Sequence, residues 1–96
     1  MKNHSAEQSW RNFLKLCEKA TIEKKFPEFL NFFLTPEERI DIGKRLAIIQ
    51  ALLSEEQSQR SIANNIEVSI SKVTRGSMCI KKSSNAFIKF LKKIIF

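Results

Sequence analysis

The chain has 96 residues, a formal net charge of +7, eight phenylalanines, and only two glycines and two prolines. That length excludes more than one sizeable domain, and so little Gly and Pro disfavours a hairpin-built architecture, so an all-α fold is expected. Cys17 and Cys79 are isolated, with no CxxC spacing, and the single histidine, His4, lies near the N-terminus; metal sites and acid–base catalysis are excluded on that basis, and no cofactor is expected.

No apolar run reaches membrane-spanning length, and the first nine residues are polar rather than signal-like; a soluble, cytoplasmic, reduced protein with no membrane partner is expected. The charge is unevenly placed. Residues 1–68 carry ten Lys/Arg and ten Asp/Glu, whereas residues 69–96 carry seven Lys and Arg and no acid. An excess confined to one end suits a polyanion.

Residues 1–4 are expected to fray. A first helix starts near Ser5 and places Trp10, Phe13, Leu14, Cys17 and Ala20 on one side, with Arg11, Lys15, Glu18 and Lys19 opposite. Trp10 reads as a core or interface residue. Next comes Phe26–Leu34, with Pro27 suited to a first helical turn. It is apolar almost all round, too much for so short an element to hide in one small domain, which points to a second copy of the chain. Thr35-Pro36-Glu37-Glu38 is a helix start: Thr35 caps, Pro36 takes the first position and Glu38 completes a capping box. This long helix runs to about Ser54 and buries Ile42, Leu46, Ile49 and Leu53, widened by Ile48 and Leu52. Arg39 reads as solvated. Arg45, beside the buried stripe, either snorkels outward or faces a ligand.

Residues 58–80 organise the chain. Two short helices, capped by Ser58 and Ser69, are joined by a tight turn. The first offers Ile62, Ala63 and Ile66 to a core, and the second offers Ile70, Val73, Ser77 and Ile80 at helical spacing. Small Ala63 lets the helices cross closely. This is the pattern of a helix-turn-helix, whose second helix enters the DNA major groove. Two residues disturb it. Glu67 stands in the turn, where a left-handed backbone costs an L-residue about 1–2 kcal/mol. Gly76 lies inside the second helix at a cost of about 1 kcal/mol relative to Ala. Two motives fit Gly76, approach of a ligand to the backbone or a tight helix–helix contact, and the residues alone leave both open. Ser83-Ser84-Asn85 then caps a last helix, Ala86–Phe96, with Phe87, Leu91 and Ile94 as its buried stripe, Ile88 and Ile95 beside it, and Lys89, Lys92 and Lys93 opposite.

With Leu34-Thr35-Pro36-Glu37-Glu38-Arg39, Ser58-Gln59-Arg60 and Val73-Thr74-Arg75-Gly76-Ser77 in order, the chain resembles the tryptophan repressor family from Trp10 to its end. The resemblance implies an all-α subunit of six helices in an interlaced homodimer. It implies one domain over 1–96: core helices for dimerisation over 5–56, the helix-turn-helix over 58–82 and a packing helix over 85–96. It also implies a sequence-specific repressor of tryptophan biosynthesis or transport genes, with L-tryptophan as corepressor.

The same resemblance assigns residues. Arg45 and Arg75 match the family arginines that sandwich the indole ring, where a guanidinium plane stacks on an aromatic face, and Arg75 would also pair with the ligand carboxylate. Gly76 matches the glycine beside the ring. Leu34 and Thr35 match residues of the partner chain that receive the amino group. Cys79 stands where the family has a serine near the ligand. For operator DNA, Gln59 and Arg60 match phosphate-contacting positions, and Ser69, Ile70, Ser71, Lys72, Thr74 and Arg75 lie on the reading helix or its start. Glu67 replaces the family's turn glycine, Phe32 a leucine, Ala63 a lysine and Lys72 a threonine. The alternatives are a DNA-binding regulator of this fold with a different or no ligand, for which Cys79 is the motive, and a membrane-surface or interaction module using the amphipathic Ala86–Phe96 helix.

Overall fold

The computed structural model describes residues 5–96; the expectations for residues 1–4, His4 among them, lie outside the described residues. Six helices follow one another: α1 (Ala6–Ile22), α2 (Phe26–Phe33), α3 (Pro36–Ser54), α4 (Gln59–Ile66), α5 (Ile70–Lys82) and α6 (Asn85–Ile95). No strand occurs among the described residues. The fold class is all-α, as expected.

The helix starts follow from side-chain capping. Ser5 Oγ accepts from the Gln8 N–H at 3.0 Å, Ser58 Oγ from Ser61 at 3.1 Å and Ser84 Oγ from Phe87 at 3.1 Å. At α3 the capping box is reciprocal: Glu38 N–H donates to Thr35 Oγ1 at 3.1 Å, and Thr35 N–H donates to Glu38 Oε1 at 2.8 Å. Ser69 is the exception. Its backbone takes the N-cap conformation, but its hydroxyl pairs with Ser71 Oγ at 3.1 Å instead of capping. Three helix ends turn through left-handed residues that are not glycine: Lys24, Glu55 and Glu67. Glu67 (φ 62°, ψ 51°) is the turn residue singled out in the sequence; Lys24 and Glu55 carry no sequence signal of this kind.

The chain divides into two compact units, one ending at Arg39 and the other spanning Ile40–Phe96. In the first, α1 and α2 pack through aromatic rings. Phe13 meets Phe29 and Phe33, each at 5.4 Å between ring centres, and Trp10 stacks on Phe13 at 5.8 Å. Part of the apolar surface of α2 is thus used within the unit. Phe32 is not covered and remains 82% exposed; Trp10, read as core or interface, is 59% exposed.

In the second unit α4 and α5 form the helix-turn-helix. Its core is Ile62 and Val73, both fully buried, with Ala63 and Ile48. Val68, Ile66, Ala51 and Leu52 close around them. The turn is locked by the Val68 N–H, which donates to the Ala63 carbonyl at 3.0 Å. Three expected faces differ. On α3, Ile48 and Leu53 are buried, but Ile42 and Leu46 stay half exposed. On α5, Val73 is buried but Ile70, in the first turn of the helix, stays 49% exposed. On α6, the covered residues are Ile88, Leu91 and Ile95, whereas Phe87, Phe90 and Ile94 face outward. The cause on α6 is an apolar arc wider than one contact surface, so spacing alone leaves its orientation free.

Candidate ligand cleft and nucleic-acid interface

A cleft of about 390 Å³ opens between α3 and α5 within the second unit, inside the range of pockets that take small molecules. Ile48, Ile49 and Gly76 give it an apolar wall, and Cys79 adds a thiol. Its charged lining is Asp41, Lys44 and Arg45 from α3 and Lys72 and Arg75 from α5. Among residues assigned to the ligand in the sequence, Arg45, Arg75, Gly76 and Cys79 come together here. Leu34 and Thr35 belong to the first unit. The Thr35 side chain caps α3, and the Leu34 carbonyl accepts from Arg39 Nη1 at 3.3 Å; Arg39, read as solvated, is exposed but engaged.

Gly76 sits against α3 without a side chain between them. A Cβ there would lie 3.0 Å from Ile48 Cγ2 and 3.3 Å from Leu52 Cδ1. The missing side chain therefore permits a tight α3–α5 contact, and the same backbone forms part of the cleft wall.

Arg45 projects outward, its side chain 71% exposed, and donates to Asp41 Oδ2 at 3.2 Å, one turn back on α3. Asp41 Oδ1 lies 3.7 Å from Lys72 Nζ on α5. One carboxylate thus spans the two helices. Exposed pairs of this kind are worth at most about 1 kcal/mol, so they orient side chains more than they stabilise the fold. Arg75 makes no ion pair among the described residues, which leaves its guanidinium available.

The remaining candidates lie on the outer side of the helix-turn-helix. Arg60, Ser69, Ile70, Ser71, Lys72, Thr74 and Arg75 are exposed, and Gln59 is half-buried. Thr74 Oγ1 is within 3.1 Å of both Gln59 Oε1 and the Ile70 carbonyl, tying the start of α4 to α5. Ile70, Thr74 and Arg75 line one shallow groove with Met78 and Lys82. Hydroxyls, amide and cations on one face form a surface able to meet phosphates and base edges.

The chain matches the family model described as Trp repressor protein over residues 8–95. It belongs to the Trp repressor family. Relatives include the Trp operon repressor homolog of Chlamydia trachomatis serovar L2, 44% identical over 99% of this chain and 100% of the relative. The homolog of Chlamydia caviae is 42% identical over 98% of this chain and 93% of the relative. That of Haemophilus influenzae (strain PittEE) is 36% identical over 90% of this chain and 85% of the relative. Membership makes the chain a transcriptional repressor rather than an enzyme. Among the described residues no helix is long and apolar enough to cross a membrane, and no cluster of metal-binding side chains occurs.

Sequence reasoning missed Asp41, which lines the cleft. Its signal was an acid four residues before Arg45, the spacing of a pair within one helix. Ile48 and Ile49 were read only as core; Ile48 serves the core and the cleft together, whereas Ile49 is part-buried and lines the cleft. Ala63, which the resemblance sets where the family often has a phosphate-binding lysine, is buried and brings no charge to that point of α4.

Proposed function

We propose that this chain is a homodimeric, sequence-specific DNA-binding repressor of tryptophan biosynthesis or transport genes, activated by L-tryptophan and working in the cytoplasm. The observation that carries the reading is the pair Arg45 and Arg75, on two different helices at the lining of one apolar-walled cleft. A planar cation on each helix suits an aromatic ring between them. Arg75 in addition suits a ligand carboxylate, because no acid among the described residues pairs with it.

The ligand acts as a wedge between α3 and the reading helix α5. Without it, α4 and α5 adopt several positions; with it, they hold the one that fits successive major grooves, roughly 34–36 Å apart in a two-fold dimer. The ligand shifts this equilibrium only by its preference for the DNA-competent state. Dimerisation is supported by the large apolar side chains exposed on every helix but α4, led by Phe32. Leu34 and Thr35 of a second copy complete the ligand site in this reading.

The test is a gel shift on a two-fold duplex with and without L-tryptophan, using the wild type, Arg45→Ala and Arg75→Ala. Tryptophan-dependent binding is expected for the wild type and is expected to be lost in both variants. Unchanged binding in either variant rejects the wedge. Cys79 favours one modification, a ligand set shifted from that of relatives with a serine there, since a thiol is a weaker hydrogen-bonding group than a hydroxyl. Calorimetry with L-tryptophan and other aromatic amino acids separates the two.

A further inference from the structure

We propose that Asp41 is a positioning residue for DNA binding: it holds Lys72 in place of a DNA phosphate, so that the reading helix exchanges one anion for another when it docks. This rests on the reading of the outer side of α5 as the nucleic-acid interface. Asp41 Oδ1, on α3, stands 3.7 Å from Lys72 Nζ, on α5. No acid occurs over residues 69–96, so the reading helix offers Lys72 no partner of its own, and the one it has comes from α3. Of the cations assigned to the DNA face, Arg60, Lys72 and Arg75, only Lys72 has an ion pair among the described residues.

The pair is suited both to hold and to release. Arg45 donates to Asp41 Oδ2 at 3.2 Å, one turn along α3, which steadies the carboxylate and leaves Oδ1 to Lys72. At 3.7 Å the Lys72 ammonium is beyond hydrogen-bond length of Oδ1, so the attraction is Coulombic alone. Water reaches both side chains, with 57% of Lys72 and 42% of Asp41 exposed, and a pair in that setting is screened and weak. A phosphate oxygen that accepts a charge-assisted hydrogen bond from the ammonium is the stronger partner. The flexible four-carbon stem of lysine lets the charge change partner while the helix stays in place. In the free protein the pair lowers the positive charge that α5 presents; docking restores it by breaking the pair. Asp41 thereby sets how tightly the chain binds any duplex and leaves base contacts alone.

The test is a double-mutant cycle of the full chain, read by gel shift on a two-fold duplex and on a random duplex, with and without L-tryptophan. Wild type, Asp41→Asn, Lys72→Gln and the double variant are compared, with thermal melts confirming that each is folded. Asp41→Asn is expected to tighten binding to both duplexes about fivefold, the scale of one exposed ion pair, and the gain is expected to shrink as salt rises. In the Lys72→Gln background the same substitution is expected to change binding by less than about twofold. Equal gains in both backgrounds mean that Asp41 merely repels phosphates at a distance, and they overturn the proposal. A loss of affinity in Asp41→Asn overturns it, as does a gain confined to the two-fold duplex, which marks a reshaped reading helix rather than a released cation. If Lys72→Gln binds as the wild type does while Arg60→Ala binds more weakly, Lys72 meets no phosphate, and the proposal falls while the interface stands. If the wild type binds neither duplex, the interface reading fails and the proposal with it.

Discussion

Gly76 faces Ile48 across the contact of the reading helix with α3: a Cβ on Gly76 would stand 3.0 Å from Ile48 Cγ2, with Leu52 Cδ1 at 3.3 Å. Replacing Gly76 by Ala brings two opposed effects. Helix propensity gains about 1 kcal/mol, while the methyl pushes two aliphatic side chains, Ile48 and Leu52, by a few tenths of an ångström. The stability of Gly76→Ala is expected within about 1 kcal/mol of wild type, whereas ligand affinity falls because the displaced methyls narrow the cleft. Gly76→Val, bulkier and β-branched, is expected to destabilise by about 1–3 kcal/mol. Urea melts paired with calorimetry on both variants check this; a destabilised Gly76→Ala with unchanged ligand affinity contradicts it.

Ile62 is fully buried between α4 and α5 in a very small core. Ile62→Ala is expected to cost about 2–5 kcal/mol and Ile62→Val about 0.5–1.5 kcal/mol. Because that core holds the helix-turn-helix together, the Ala variant is expected to lose DNA binding at temperatures where the Val variant keeps it. Circular-dichroism melts followed by gel shifts at two temperatures measure both effects.

Glu67 pays for a left-handed backbone that glycine adopts freely. Glu67→Gly is expected to raise stability by about 0.5–1 kcal/mol, the relief of an L-residue strain of about 1–2 kcal/mol less the chain entropy that glycine brings to the unfolded state. Side-chain contacts do not change, so ligand affinity is expected to stay the same. A Glu67→Gly variant that melts lower than wild type would show that the side chain contributes something the backbone does not.

Phe32 is 82% exposed while its neighbour Phe33 packs on Phe13 and Phe29. Phe32 meets the cluster edge-on at Phe33, 5.1 Å between ring centres, so Phe32→Asp is expected to lose that contact, to keep the Phe13–Phe29–Phe33 packing and to weaken self-association. Sedimentation velocity reads the outcome as a shift from dimer to monomer. A variant that remains dimeric places the contact elsewhere on the exposed apolar surface.

Arg60 and Lys72 are exposed cations at the start of α4 and on α5. Operator affinity is expected to fall steeply between about 50 and 200 mM salt, and Arg60→Ala or Lys72→Gln is expected to lower the log–log slope by about one each. Gel shifts across that range provide the slopes.

Local chemistry was legible in the residues. The caps at Thr35, Ser58 and Ser84, the helix start near Ser5, the left-handed turn at Glu67 and the six-helix order depend on neighbours within a few positions, so spacing and residue type suffice to read them. Ser69 escaped because its hydroxyl had a second partner, Ser71, equally close in sequence.

What spacing could not decide is which side of an apolar helix is covered. Residues 87, 91 and 94 and residues 88, 91 and 95 fit a helical stripe equally well, and only packing chose the second set. The motive for Gly76 and the part played by Asp41 had the same origin. Each depends on a side chain more than twenty residues away, Ile48 for one and Lys72 for the other, and a chain brings such residues to within 4 Å only once its helices have packed.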